Sequence, residues 1–179
     1  AEVYSPPKIV VKAKELRMKG VWSLDFTGKD SRGRKWDLSK QSMRRRAIEL
    51  IKRIKPLLIV GSPMHPDCTN MTEVERLQKS KEARRHLRFC TKVYRRQVES
   101  GRYYLHKHPE SARPWREPCM KELAGREQSM LMKVDQGRCG QWVENKAEKA
   151  RREEPIRLLT NSPCIAEELK MACKDKGVH

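Results

Sequence analysis

The residues able to do chemistry in this chain gather where short apolar runs end. Leu57-Leu58-Ile59-Val60 breaks off at Gly61-Ser62-Pro63, and His65 and Cys68 follow directly. A cysteine there is a candidate nucleophile, since a thiolate attacks electron-poor carbon; the plain alternative is an ordinary loop cysteine. His106 and His108 close a second apolar run and, with His65, come nearest to a metal-ligand set. Alternation of side chains along a strand would send them to opposite faces, so no metal site is expected. Asp25 and Asp37 follow candidate strands and could hold the hydroxyls of a cofactor, or be ordinary strand-end acids. The densest chemistry is charge. Lys81, Arg84, Arg85, Arg88, Lys92, Arg95 and Arg96 fall within one stretch whose single acid is Glu82. That imbalance is too lopsided for a neutral solvated face and predicts contact with a polyanion.

The whole chain shares this bias. Its 179 residues hold 41 Lys and Arg against 23 Asp and Glu, a formal net charge of +18. Such an excess speaks about partners rather than fold. It predicts a nucleic acid, RNA ahead of DNA, with an acidic membrane surface second. No run approaches the roughly 20 apolar residues that span a bilayer, so no membrane partner is expected. The six cysteines, at 68, 90, 119, 139, 164 and 173, include no Cys-x-x-Cys pair, which argues against structural zinc. A secreted disulfide scaffold is disfavoured at this size. Reduced thiols in an intracellular compartment are expected, the cytoplasm or an organelle such as the mitochondrion. The chain opens on Ala1, as expected of a processed product, a polyprotein piece or a trimmed chain.

Elements that could position these residues alternate in type. Glu2 to Tyr4 reads as the end of a strand, 8–18 as a helix stopped by Gly20, and Val21 to Phe26 as a strand. Ser39 is the expected cap of a helix at 41–54, whose inward face would be Met43, Ala47, Leu50, Ile51 and Ile54. Residues 57–60 read as a strand buried on both faces. A long helix at 80–100 should bury Leu87, Cys90, Tyr94, Gln97 and Val98 and leave its cations outside. Further strands are predicted at 102–106, 130–135 and 156–161, a short helix at 115–124 and a last helix from 163 to about 173. Residues 144–154 read as a charged loop. The alternation predicts one α/β domain over 1–179, Rossmann-like, with a mainly parallel sheet and helices on both faces. The Gly-x-Gly-x-x-Gly fingerprint is absent, which disfavours a nicotinamide or flavin enzyme.

Five blocks carry a resemblance: Glu2-Val3-Tyr4-Ser5-Pro6-Pro7, Trp22-Ser23-Leu24-Asp25, Pro56 to Met64, Gly101 to Pro109, and Thr160-Asn161-Ser162-Pro163-Cys164. In order and spacing the chain resembles the methyltransferase-like domain of Copia-type retrotransposon polyproteins, itself distantly similar to the DNA cytosine-5 methyltransferases. The resemblance implies an S-adenosylmethionine-methyltransferase-like fold. It places Asp25 and Asp37 at positions that hold the cofactor's ribose and adenine, and Pro63 at the loop proline. It also implies a nucleophilic thiol at position 65 and a carboxylate at position 107. Here those positions are His65 and Lys107. Cys68 lies three residues on, up to about 10 Å away along an extended loop, and a lysine reverses the charge that the carboxylate would supply.

Two losses in one site predict a fold that has dropped its reaction: a non-catalytic, RNA-binding protein, expected as a structural component of a ribonucleoprotein such as a ribosome, with other proteins as partners. No catalytic residue is assigned, and His65, Cys68 and Lys107 stand as degenerate positions. No cofactor is expected unless the alternative holds, an active S-adenosylmethionine-dependent nucleic-acid cytosine methyltransferase. A retroelement polyprotein segment without activity of its own is the third reading. The expected contacts to nucleic acid are Arg84, Arg85, Arg88, Lys92, Arg95 and Arg96.

Overall fold

Strands that run in parallel need long connections, and in this chain helices supply several of them. The computed structural model describes residues 1–5, 7–20, 22–25, 28–30, 32–63, 72–134 and 155–174, with side chains to 171. The elements are β1 (Glu2–Val3), α1 (Lys8–Glu15), β2 (Ser23–Leu24), α2 (Gln41–Ile54), β3 (Leu58–Gly61), α3 (Glu73–Glu99), β4 (Tyr103–Pro109), a 3-10 turn (Arg113–Arg116), α4 (Pro118–Ala124), β5 (Met130–Val134), β6 (Ile156–Thr160) and α5 (Pro163–Lys174). The expected charged loop at 144–154 lies outside the described residues, as do His65 and Cys68.

The strands form one six-stranded sheet in the order β2-β1-β3-β4-β6-β5. β1 pairs in parallel with β2 and β3, and β3 with β4, while β6 runs antiparallel to both β4 and β5. The α/β architecture and the mostly parallel sheet are as expected; the reversed strand makes the sheet mixed. Side-chain bonds lock that reversal at its end. Asn161 Oδ1 accepts the Tyr104 N–H at 2.9 Å and its Nδ2 donates to the Arg102 carbonyl at 3.0 Å. Thr160 Oγ1 donates to the Tyr104 carbonyl at 2.6 Å.

The sheet separates two apolar layers. Alternation along β4 and β6 sends Tyr104 and Leu159 to one face and Leu105 and Leu158 to the other. The first face holds the larger core, where Val3, Leu24 and Ile59 meet Ala47 and Ile51 of α2, Leu87, Val93 and Tyr94 of α3, and Met120 and Leu123 of α4. The second packs Met132, Val134 and Ile156 against Ala166 and Leu169 of α5. α1 is tied to β1 instead: the Val10 N–H donates to the buried Glu2 carboxylate at 2.8 Å. Pro7 gives α1 no side-chain cap, so Glu2 satisfies that first-turn amide and complements the helix dipole.

Several boundaries differ from expectation for identifiable reasons. α3 begins at Glu73 because Thr72 and Glu75 form a capping box, with the Thr72 N–H donating to Glu75 Oε2 at 3.0 Å. Ser39 does not cap α2; Lys40 occupies the cap, and Ser39 Oγ donates to Asp37 Oδ1 at 2.5 Å. Ile48 replaces Ile54 on the buried face of α2, and Ile54 is exposed at the last turn. Leu57 precedes β3 and is exposed, so the run is buried only from Ile59 onward. β4 extends through Pro109, because β6 pairs with it as far as Ile156.

In the larger core α3 and β3 approach each other closely at Gly61. A Cβ built on Gly61 would collide with the Tyr94 hydroxyl and lie 3.0 Å from its Cζ. The same hydroxyl is hydrogen-bonded to His106 Nδ1 at 3.0 Å, and the ring stacks on Tyr104 with centroids 4.8 Å apart. Overpacking of this kind costs about 1–3 kcal/mol. Gly61→Ala is therefore expected to lower the melting temperature by roughly 2–10 °C. Adding Tyr94→Phe should return part of the loss, because the clash with oxygen is removed; thermal melts of the three variants check this, and additive losses would contradict it.

Candidate functional site

The candidate site grows out of the two-sided character of α3. Its buried side runs through Leu87, Cys90, Val93, Tyr94 and Gln97. Gln97 fixes the end of the helix: its Nε2 donates to the carbonyls of Pro56 at 2.9 Å and Tyr103 at 3.0 Å. With that side held down, the cations between positions 81 and 96 have only solvent and neighbouring helices to meet.

They divide between two neighbours. Toward α2, a groove is lined by Lys81, Arg84, Arg85, Arg88, Lys92 and Arg96 of α3 and by Arg44, Arg45 and Lys52 of α2. The one carboxylate among its lining residues is Glu49, which is paired with Lys52 at 2.8 Å. Toward α4, Arg84 Nε meets Glu117 at 2.9 Å and Arg95 Nη2 meets Glu122 at 2.5 Å. Of the six residues expected to contact nucleic acid, Arg85, Arg88, Lys92 and Arg96 line the groove with no acidic partner among the described residues. Arg84 lines the groove but is paired, and Arg95 lines the depression between α3 and α4 instead. The α2 cations were not foreseen as part of the site. Their signal was the run Arg44-Arg45-Arg46 and the pair Lys52-Arg53 on a helix whose apolar stripe already fixed its orientation.

Along α3 the groove cations recur every three or four residues, a rise of about 5–6 Å per step. A row of positive charge at that pitch, with low-dielectric walls on both sides, focuses potential on anything polyanionic lying along it.

The second candidate region lies at the carboxyl ends of β1, β2 and β3, where open α/β sheets bind ligands. Asp25 follows β2 and Pro63 is buried just past β3. Asp37 is not at the end of a strand; it sits in the turn before α2, where Oδ1 accepts from the Ser39 N–H at 3.1 Å and Lys40 Nζ lies 3.4 Å from Oδ2. The Ser39 hydroxyl, above all, holds that carboxyl below the usual range. Tyr4 takes a φ of 57°, a left-handed backbone that bulky residues seldom adopt. Its ring packs edge-on against His86 and Phe89, and its hydroxyl is 2.7 Å from His86 Nδ1. Burial raises the Tyr4 pKa and lowers that of His86, so both stay neutral near pH 7.

S-adenosylmethionine, implied by the resemblance alone, is a poor fit to these residues. Asp37 is engaged within its own turn, and the sequence Ser5-Pro6-Pro7 offers no glycine turn to let backbone approach a cofactor. Lys107 lies inside β4 opposite Leu158, on the face of Leu105 rather than in a loop after the strand. Cys90 is no substitute nucleophile, because burial pushes its thiol up to about 12. Among the described residues no cluster of His, Cys, Asp and Glu could hold a metal ion.

One expectation needs correction. His106 and His108 are two residues apart and so share a face of β4; both are buried, with ring centroids 4.8 Å apart and Trp115 edge-on to each. No family model matches this chain, and neither the curated proteins nor the solved structures contain a match.

Burial drives the His106 pKa well below its ordinary 6.5, and the neighbouring His108 adds to the shift. The unfolded chain therefore takes up a proton near pH 6.5 that the folded chain refuses. Stability is complete above that pH and is lost as pH falls below it, by up to about 1.4 kcal/mol per unit. Thermal melts should be level between about pH 8 and 7 and fall steadily toward pH 5. His106→Asn should flatten the fall; an unchanged slope would show that other groups cause it.

Proposed function

We propose that this protein binds nucleic acid without catalysing a reaction on it, and that the groove between α2 and α3 carries the phosphates. One observation supports the reading above all: nine cations from two helices line a single groove whose one carboxylate, Glu49, is already paired. Lys and Arg that neutralise phosphates release condensed counterions, and that gain is independent of sequence. RNA is favoured over DNA, with a ribonucleoprotein as the setting and an intracellular, reducing compartment as the location. No helix among the described residues is long and apolar enough to cross a membrane.

The finer reading of the fold, a methyltransferase-like domain related to those of Copia-type retroelements, belongs to this proposal too. It draws support from the mostly parallel sheet and from the blocks quoted from the sequence. An active methyltransferase is the weaker reading, given the engaged Asp37 and the lysine at position 107. Calorimetry with S-adenosylmethionine should give no micromolar binding, and a micromolar isotherm would restore the enzyme.

The interface itself is tested by salt. Binding of RNA and of DNA should weaken steeply with added salt, the log–log slope being about −0.7 to −0.9 per phosphate neutralised. Arg85→Glu, Arg88→Glu and Lys92→Glu together should weaken binding to all sequences alike and make the slope shallower. Arg95→Glu, outside this groove, should instead act mainly on stability, because it sets a carboxylate against Glu122. A flat salt response, or a triple variant that binds as wild type, would reduce the groove to a solvated surface.

A further inference from the structure

We propose that a second cleft, across α2 from the cationic groove, receives an unstacked base of the strand whose phosphates lie in that groove. The inference rests on the nucleic-acid reading above and narrows it to single-stranded segments. The cleft is lined by Trp22, which precedes β2, by Asp30 and Trp36, and by Arg46 and Arg53 of α2. Glu49 lines both depressions, so the two share a rim on α2.

Bases outside a duplex are bound by stacking on aromatic rings or on the flat guanidinium of arginine. Both are present here, and the guanidinium is held before any ligand arrives. Arg46 lies over the Trp36 ring, 5.4 Å from its centroid, and is ion-paired to Asp30. Asp30 is in turn fixed by the backbone N–H of Arg32 at 2.8 Å and of Arg34 at 2.9 Å, and by Arg34 Nε at 3.1 Å. Burial alone would raise the Asp30 pKa, but these donors hold it below the usual carboxylate range, so the anchor stays charged. Arg46 remains 32% exposed while doing this, which leaves surface of the anchored side chain to line the cleft. A plane held by a ring and a carboxylate loses little freedom when a base stacks on it. Arg53 adds a cation at the cleft wall for the phosphate of that nucleotide. A base within a duplex is stacked between its neighbours and cannot reach across α2; an unstacked one can.

The test uses the full chain and three ribo-oligonucleotides of equal length: a single strand, the corresponding duplex, and a strand with its bases removed. Stacking of one base is expected to favour the single strand over the abasic strand by about tenfold or more. Tryptophan emission should fall with the base-bearing strand and not with the abasic one. Trp22→Leu should shrink the advantage to about twofold or less, and Arg53→Ala should weaken the single strand more than the duplex. Equal binding of all three ligands overturns this inference and leaves the phosphate groove standing. A preference untouched by Trp22→Leu overturns the cleft as its source. Failure of all three to bind overturns the groove reading and this one together.

Discussion

The Tyr94 hydroxyl sits between β3 and β4, against the backbone of Gly61 and within hydrogen-bonding distance of His106. No other residue type at position 61 leaves room for it. This contact sets how closely α3 can approach the sheet and, since Tyr94 is one point on a stripe, how the helix is rotated. Gln97 repeats the constraint one turn later by bonding the Pro56 carbonyl before β3 and the Tyr103 carbonyl that opens β4. A helix so pinned has no freedom to turn its charged side inward. The cationic groove is therefore a consequence of how the core packs.

Holding nine positive side chains in one groove costs stability through self-repulsion. The structure offsets part of this locally. α4 brings Glu117 and Glu122 to Arg84 and Arg95, and α2 brings Glu49 to Lys52. Such surface pairs contribute little each, about 0–1 kcal/mol, and among the described residues they leave Arg85, Arg88, Lys92 and Arg96 unanswered. A bound polyanion would relieve the remaining repulsion and stabilise the fold by mass action. On that reasoning the charge that burdens the free chain is what favours the complex.

The carboxyl end of the parallel strands shows a different economy. Its polar groups are satisfied among themselves: Asp37 by Ser39 and Lys40, Tyr4 by His86, Glu2 by the start of α1. Groups arranged to act on a ligand are commonly left reactive, with pKa values poised near the working pH. Here burial drives Tyr4 and Cys90 upward and His86 and His106 downward, so that each stays in its neutral form. The same bonds tie the described residues at this end of the sheet to one another.

The alternation of short apolar runs with amphipathic stretches was enough, from the sequence, to place every helix and strand of the described core and to predict an α/β layer structure. Local patterns carry that information because burial repeats with period two on a strand and 3.6 on a helix. α2 at 41–54 and the buried stripe of α3 were legible for this reason, and Thr72 with Glu75 has the spacing of a capping box. The cationic character of α3 was plain too, since charge is a property of composition. Three things were decided only by the tertiary structure. β6 runs antiparallel to β4, with Thr160 and Asn161 bonded at the start of that strand, a pairing between residues some 57 positions apart. Among the described residues, Arg84 and Arg95 are answered by Glu117 and Glu122 while Arg85, Arg88, Lys92 and Arg96 are not, because neutralisation depends on which helix lies alongside. The groove itself needs α2 beside α3, and no spacing within either helix can specify a neighbour that folding brings from elsewhere in the chain.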